Sequence, residues 1–154
     1  MVAQRLGALA ALFFVAQSIA LECTVKSVHD GDTLTAQCGA DKLRVRLTEI
    51  DAPERTQPYS RLSANSLKEI CVGKPAKMRI QSTDKYGRTL ARVICDGTDA
   101  NAEQVRRGYA WAYDKYLTDP AIKALETEAR KAGRGLWRSA NPQPPWEFRH
   151  PTGK

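Results

Sequence analysis

The sequence predicts an α+β fold, a small five-stranded β-barrel carrying about three α-helices. Three observations predict it. Two runs that alternate apolar and polar residues flank Asp30-Gly31. A single helical pattern separates the third strand from the fourth, and the last third of the chain is rich in helix signals.

The first strand alternates Leu21, Cys23 and Val25 with Glu22, Thr24 and Lys26. The second alternates Leu34, Ala36 and Cys38 with Thr33, Thr35 and Gln37. Asp30-Gly31 is a tight-turn dipeptide. A two-residue turn there pairs positions whose numbers sum to 61, and Cys23 and Cys38 are such a pair. They are predicted to face each other and bridge, closing a loop worth about 3 kcal/mol in the chain-entropy picture. The third strand, Leu43-Arg44-Val45-Arg46-Leu47, turns its leucines and valine one way and Arg44 and Arg46 the other. Arg46 must therefore point out of the core. Pro53 ends this segment.

A helix is predicted from about Tyr59 to Cys71, with Ala64, Leu67, Ile70 and Cys71 on one face. Residues 76–80 and 90–95 form a second hairpin around Asp84-Lys85-Tyr86-Gly87-Arg88, and Cys71 and Cys95 flank it as the natural second disulfide. Asn101 is a candidate helix cap, with Gln104 as its capping-box partner. Asp119-Pro120 starts a further helix, with Ile122, Leu125, Ala129 and Ala132 on its apolar stripe, a Glu126–Arg130 pair, and Gly133 or Gly135 as its stop. The tail from Asn141 to Lys154 holds four prolines and is expected to fray. Five short strands with one helix between strands three and four is the plan of an OB-type barrel.

The 154 residues make one ordinary domain. The division expected is a removable signal peptide over 1–20, the barrel domain over 21–140 and a proline-rich tail over 141–154. In the first segment Arg5 is the only charge, the apolar run Leu6–Ala16 has signal-peptide length, and Ser18-Ile19-Ala20 offers small residues for cleavage; an uncleaved anchor is the competing reading. Four scattered cysteines behind such a segment suit an oxidising compartment, periplasmic or extracellular. With no C-x-x-C spacing and only His29 and His150 as histidines, a zinc site is not expected. The net charge of +7 implies attraction to polyanions, whether nucleic acid or a membrane surface, or generic solubility. Nothing indicates a stable protein partner, a membrane association after cleavage or an oligomer.

Three clusters hold the candidate chemistry: Asp30-Gly31-Asp32-Thr33, Arg46 with Asp51-Ala52-Pro53-Glu54, and Asp84 to Arg88. Each alone is explicable as a turn or a solvated face. Together they place two carboxylates, Asp32 and Asp51, at strand ends, a third, Glu54, three residues beyond Asp51, and two arginines, Arg46 and Arg88, on separate elements. That inventory suits phosphodiester cleavage, where a hard cation and guanidinium forks stabilise charge developing on phosphate oxygens and a carboxylate orients or deprotonates water. His29 is read as a solvent-facing bystander rather than a proton shuttle.

In order and spacing, these clusters resemble the thermonuclease family, the staphylococcal-nuclease-like OB-fold enzymes. The matching stretches are Val28 to Leu34, Val45 to Glu54, Asp84 to Val93 and Asn101 to Tyr113, with Trp137 and Pro145-Trp146-Glu147-Phe148-Arg149 similar to bacterial members. The resemblance implies that Asp32 and Asp51 are calcium carboxylates and that Ala52 ligates through its backbone carbonyl. It implies Glu54 as general base or water-positioning group and Arg46 and Arg88 as catalytic arginines. Lys85 and Tyr86 would hold a terminal phosphate, and Tyr113 and Tyr116 would border the nucleotide. It further implies Ca²⁺ as cofactor, DNA and RNA as substrates and 3′-phosphate products. Residues 55–60 are shorter than the loop of the best-known member and lack its lysines, Tyr116 is offset by one position, and the cysteines have no counterpart there. A non-catalytic OB-fold module that binds nucleic acid or protein is the alternative, disfavoured because the full set of acids and arginines is present.

Overall fold

The computed structural model describes residues 20–151; the expected signal segment lies almost wholly outside them. Strands β1 (Leu21–Val28), β2 (Thr33–Cys38) and β3 (Asp41–Leu47) form an antiparallel meander. The two-residue strand β4 (Ile50–Asp51) precedes helix α1 (Ser60–Cys71). The hairpin β5 (Pro75–Thr83) and β6 (Thr89–Cys95) follows, then the short β7 (Thr98–Asp99). β5 pairs with β1, and β6 pairs in parallel with β3, which closes a five-stranded barrel of order β3-β2-β1-β5-β6. The barrel is the α+β, OB-type architecture that the strand pattern predicts. Helix α2 (Ala100–Arg106), strand β8 (Trp111–Ala112), helix α3 (Pro120–Lys131) and the short helix α4 (Pro145–Arg149) follow, with single 3-10 turns at Asp114–Tyr116 and Gly135–Arg138.

The core forms where the apolar phases of the strands meet: Val25, Leu34, Val45, Leu47, Met78 and Val93 are wholly buried, with Leu67 of α1 laid against them. Both expected disulfides are present, Cys23–Cys38 and Cys71–Cys95. The first sits in the pairing that sums to 61, as Thr24↔Gln37 and Val25↔Ala36 show. Beyond it a bulge between Val25 and Ser27 shifts the pairing to Ser27↔Thr35 and Val28↔Leu34. The connection is therefore not the expected two-residue turn at Asp30-Gly31. It is a wider loop, closed by the His29 amide donating to the Thr33 carbonyl at 2.9 Å. Asp32 lies in this loop and is buried.

Two more expectations are corrected. Asp99, not Asn101, caps α2, accepting from the Ala102 amide at 3.0 Å. Asn101 lies one residue inside the helix and is fully buried; its Oδ1 accepts from the Val93 amide and its Nδ2 donates to the Thr48 carbonyl. Gln104 is no capping-box partner either. It is buried, and its Nε2 donates to the carbonyls of Gly31 and Ser63 at 2.7 and 3.0 Å. The tail does not fray over 145–149. It forms α4, with Pro145 buried and Pro at its first turn. Asp119 caps α3 as expected, and Gly133 follows its end with φ 59°.

Candidate active site

Four elements converge at one end of the barrel. The β1–β2 loop delivers Asp32. Gly31 precedes it where only a glycine fits: a Cβ there would lie 1.7 Å from Ser63 Oγ and 2.7 Å from the Ala52 Cβ. Strand β3 delivers Arg46, paired across to Thr33. Strand β4 delivers Asp51, opposite Trp111 of β8. The turn after β4 delivers Glu54, whose amide is held by Gln57 Oε1 at 2.8 Å.

Arg46 is the centre of this arrangement. Its Nε lies 3.2 Å from Asp32 Oδ1 and its Nη2 3.0 Å from Asp51 Oδ1. Nη1 donates to the Leu47 and Ile50 carbonyls. It does point away from the apolar core, yet its side chain is only 13% exposed, because the two carboxylates and two carbonyls enclose it. Asp32 and Asp51 are themselves buried, at 6% and 1% exposure. Burial pushes the Asp32 carboxyl up to about 6, against the pull of Arg46 and the Ala52 amide that donates to Oδ2 at 2.7 Å. Burial also raises Asp51, aided by the Asp32 charge and opposed by Arg149 and Arg46.

Two buried carboxylates bridged by one guanidinium suit a hard, oxygen-seeking cation. Among the described residues no group of three or more His, Cys, Asp or Glu side chains has the arrangement of a metal site. Asp32 and Asp51 would supply two ligands, and the Ala52 carbonyl, water and substrate the rest. That donor set is all oxygen and fits calcium chemistry.

The two predicted arginines differ in placement. Arg88 sits at the end of the β5–β6 hairpin, where Asp84 accepts from its Nε and Nη2, both at 2.8 Å. The parallel register Val45↔Thr89 and Arg46↔Leu90 puts Arg88 on the Arg46 side of the sheet, one strand over. Among the described residues no hydrogen bond or ion pair joins Arg88 to Asp32, Arg46, Asp51 or Glu54. Lys85 and Tyr86 project from the same hairpin turn, with Tyr86 72% exposed and the Lys85 ammonium 5.1 Å from its ring centroid. Tyr113 follows β8, its amide donating to the Glu49 carbonyl at 2.8 Å. Tyr116 meets Tyr113 edge to face at 4.9 Å and is largely exposed. His29 is exposed, bonded to Thr35 Oγ1 at 2.7 Å; burial and the charges of Arg44, Arg55 and Lys42 hold its pKa below the usual 6.5.

One site residue and one structural residue escape sequence reasoning. Arg149 of α4 makes a fork on Asp51, with Nη1 3.2 Å from Oδ1 and Nη2 2.8 Å from Oδ2, while Nη1 also reaches Glu54 Oε1 at 2.6 Å. Its signal was a Pro-Pro helix start in the tail, which marks a helix but not its destination. Glu49 adopts φ 66°, a left-handed conformation that few non-glycine residues hold. Its buried Oε1 accepts from the Thr118 amide, the Thr118 hydroxyl and the Asp119 amide, all at 2.7–2.8 Å. Its Oε2 pairs with Arg92 at 3.2 Å, and Arg92 in turn holds Asp99 and Asp119. This hub anchors the residue before β4 to the start of α3.

Comparison with known proteins agrees with the geometry. A family model described as "Staphylococcal nuclease homologue" matches residues 44–139. A protein of Escherichia coli O157:H7 named "Uncharacterized endonuclease" is 43% identical over 127 residues, 82% of this chain and 83% of its own. One of Haemophilus influenzae with the same name is 38% identical over 128 residues, 82% of this chain and 72% of its own. A staphylococcal-like nuclease of Arabidopsis thaliana is 36% identical over 110 residues, 71% of this chain but only 34% of its own. With residues 44–139 matched, more than half its length, the chain belongs to the staphylococcal nuclease homologue family.

Proposed function

We propose that this protein is an exported, calcium-dependent nuclease that hydrolyses phosphodiester bonds of DNA and RNA and leaves 3′-phosphate ends. The observation that carries this reading is the buried pair Asp32 and Asp51, bridged by Arg46 at 3.2 and 3.0 Å, with Glu54 on the same rim. The names of the bacterial relatives point the same way. The two disulfides support a non-cytoplasmic setting, and no described helix is long and apolar enough to cross a membrane.

In this reading Asp32, Asp51 and the Ala52 carbonyl hold Ca²⁺, which when bound supplies positive charge beside the scissile phosphate. Glu54 accepts a proton from water as the water oxygen attacks phosphorus. The bond from phosphorus to the 5′ oxygen breaks, that oxygen takes a proton from solvent, and the phosphate stays on the 3′ side. Arg46 and Arg88 stabilise the charge gathering on the equatorial oxygens, as guanidinium forks do for phosphate. Lys85 and Tyr86 hold a terminal phosphate, and Tyr113 and Tyr116 offer rings to a base.

The test is incubation of the purified protein with single-stranded DNA and with RNA, with calcium or with chelator, followed by end-group analysis. Shortening that requires calcium and yields 3′-phosphate ends supports the reading. Binding without shortening sinks it in favour of a non-catalytic module.

A further inference from the structure

The tail helix puts a positive charge on the carboxylates assigned above to the cation. Both oxygens of Asp51 are engaged by the Arg149 fork, and Glu54 is tied to the same guanidinium. Calcium coordinates oxygen at about 2.3–2.6 Å. A cation on Asp51 would therefore need the lone pairs that Arg149 uses and would meet a like charge beside it. Arg46 also touches Asp51, but it is 13% exposed and held by the Leu47 and Ile50 carbonyls. Arg149 is 33% exposed and stands near the end of a helix of five residues. Of the two guanidiniums, Arg149 is the less enclosed.

The same segment covers an aromatic face. The Trp146 ring stacks on Tyr113 with centroids 5.3 Å apart and planes 3° from parallel, the geometry a nucleobase would take there. Upstream, Gln57 Nε2 donates to the Gln143 carbonyl at 3.0 Å, a contact at the root of the tail.

We propose that the segment from Pro144 to Arg149 is a built-in occupant of the site, in which Arg149 and a divalent cation exchange for the oxygens of Asp51, so that loading the cation also frees the Tyr113 face. This rests on the assignment of Asp32 and Asp51 as cation ligands. The charges favour exchange over coexistence. Asp32, Asp51 and Glu54 carry three negative charges against two from Arg46 and Arg149. Replacing one unit charge with a divalent one balances the cluster, whereas adding it to both arginines would overfill it. Linkage then requires that removing Arg149 strengthens cation binding.

The experiment is calcium titration by calorimetry on the purified protein, on Arg149→Ala and on a chain ending at Gln143, with tryptophan emission followed in parallel and Trp146→Phe used to assign the signal. Both altered chains should bind calcium more tightly, by about fivefold or more. Calcium should also change emission in the wild type through Trp146 and leave Trp146→Phe silent. Calcium bound equally or more weakly by the altered chains overturns the exchange while leaving the cation site standing. No calcium binding by any of the three overturns the cation assignment and the exchange with it.

Discussion

Gln104 Nε2 lies 2.7 Å from the Gly31 carbonyl, so a buried side chain of α2 holds the loop that presents Asp32. The same nitrogen holds the Ser63 carbonyl of α1. Gln104→Ala removes the donor to the Gly31 carbonyl and the second donor to the Ser63 carbonyl, and opens a cavity. It should lower stability by about 2–4 kcal/mol, read as the urea midpoint at unchanged slope. Loss under about 0.5 kcal/mol would mean that the loop is held by other contacts.

Arg46→Ala and Glu54→Gln should separate. Both should slow cleavage by about a hundredfold or more. Glu54 is a rim residue with 38% of its side chain exposed, and Glu54→Gln should melt within about 0.5 kcal/mol of wild type. Arg46→Ala strips the bridge between two buried carboxylates and should cost about 3 kcal/mol in calcium-free buffer. Calcium should restore much of that loss. Equal melting of all three proteins in chelator would contradict the enclosure of Arg46.

Glu49 sets an acid limit. Burial pushes its carboxyl up, but hydrogen bonds from Thr118 and Asp119 and the Arg92 charge prevail and hold it below the ordinary 4.5. A carboxyl depressed by folding contributes stability that is full above its unfolded value and fades as pH falls through its folded one. The stability difference between wild type and Glu49→Gln should thus be constant above about pH 5 and shrink below 4.5. Denaturant midpoints at several pH values check it; a difference independent of pH would place the network's contribution elsewhere.

The disulfides close loops of 15 and 24 residues, and removing either pair as alanines should cost about 3 kcal/mol. Differential unfolding of Cys23→Ala/Cys38→Ala and Cys71→Ala/Cys95→Ala measures it. Cys71–Cys95 ties α1 to the barrel, so its loss should also loosen α1 in amide exchange.

Much of this architecture follows from local rules. Alternation located the strands, the sum rule located the Cys23–Cys38 bridge, and Asp119-Pro120 marked the start of α3. The convergence of Asp32, Arg46 and Asp51 was legible because all three sit at strand ends next to turns, where side chains leave the core. What escaped depends on distant partners. Asn101 and Gln104 carry a cap's spelling, yet tertiary burial assigns them carbonyls and amides of other elements. The bulge between Val25 and Ser27 has no glycine to announce it. Arg149 reaches Asp51 over 98 positions, beyond any spacing rule. The left-handed backbone at Glu49 is held by contacts from Thr118 and Asp119, which the local sequence does not contain.

The parallel pairing of β3 with β6, Val45↔Thr89, Arg46↔Leu90 and Leu47↔Ala91, fixes the phase of Arg88, the last residue of the hairpin turn from Asp84. Side chains alternate faces along β6, so a slip of one position would send Arg88 to the opposite side from Arg46. The turn's exposed residues, Lys85 and Tyr86 among them, tolerate exchange as far as the fold is concerned. The spacing from Arg88 to Leu90 does not: one amino acid inserted or deleted between them would put the two arginines out of phase even if every residue of the site kept its identity.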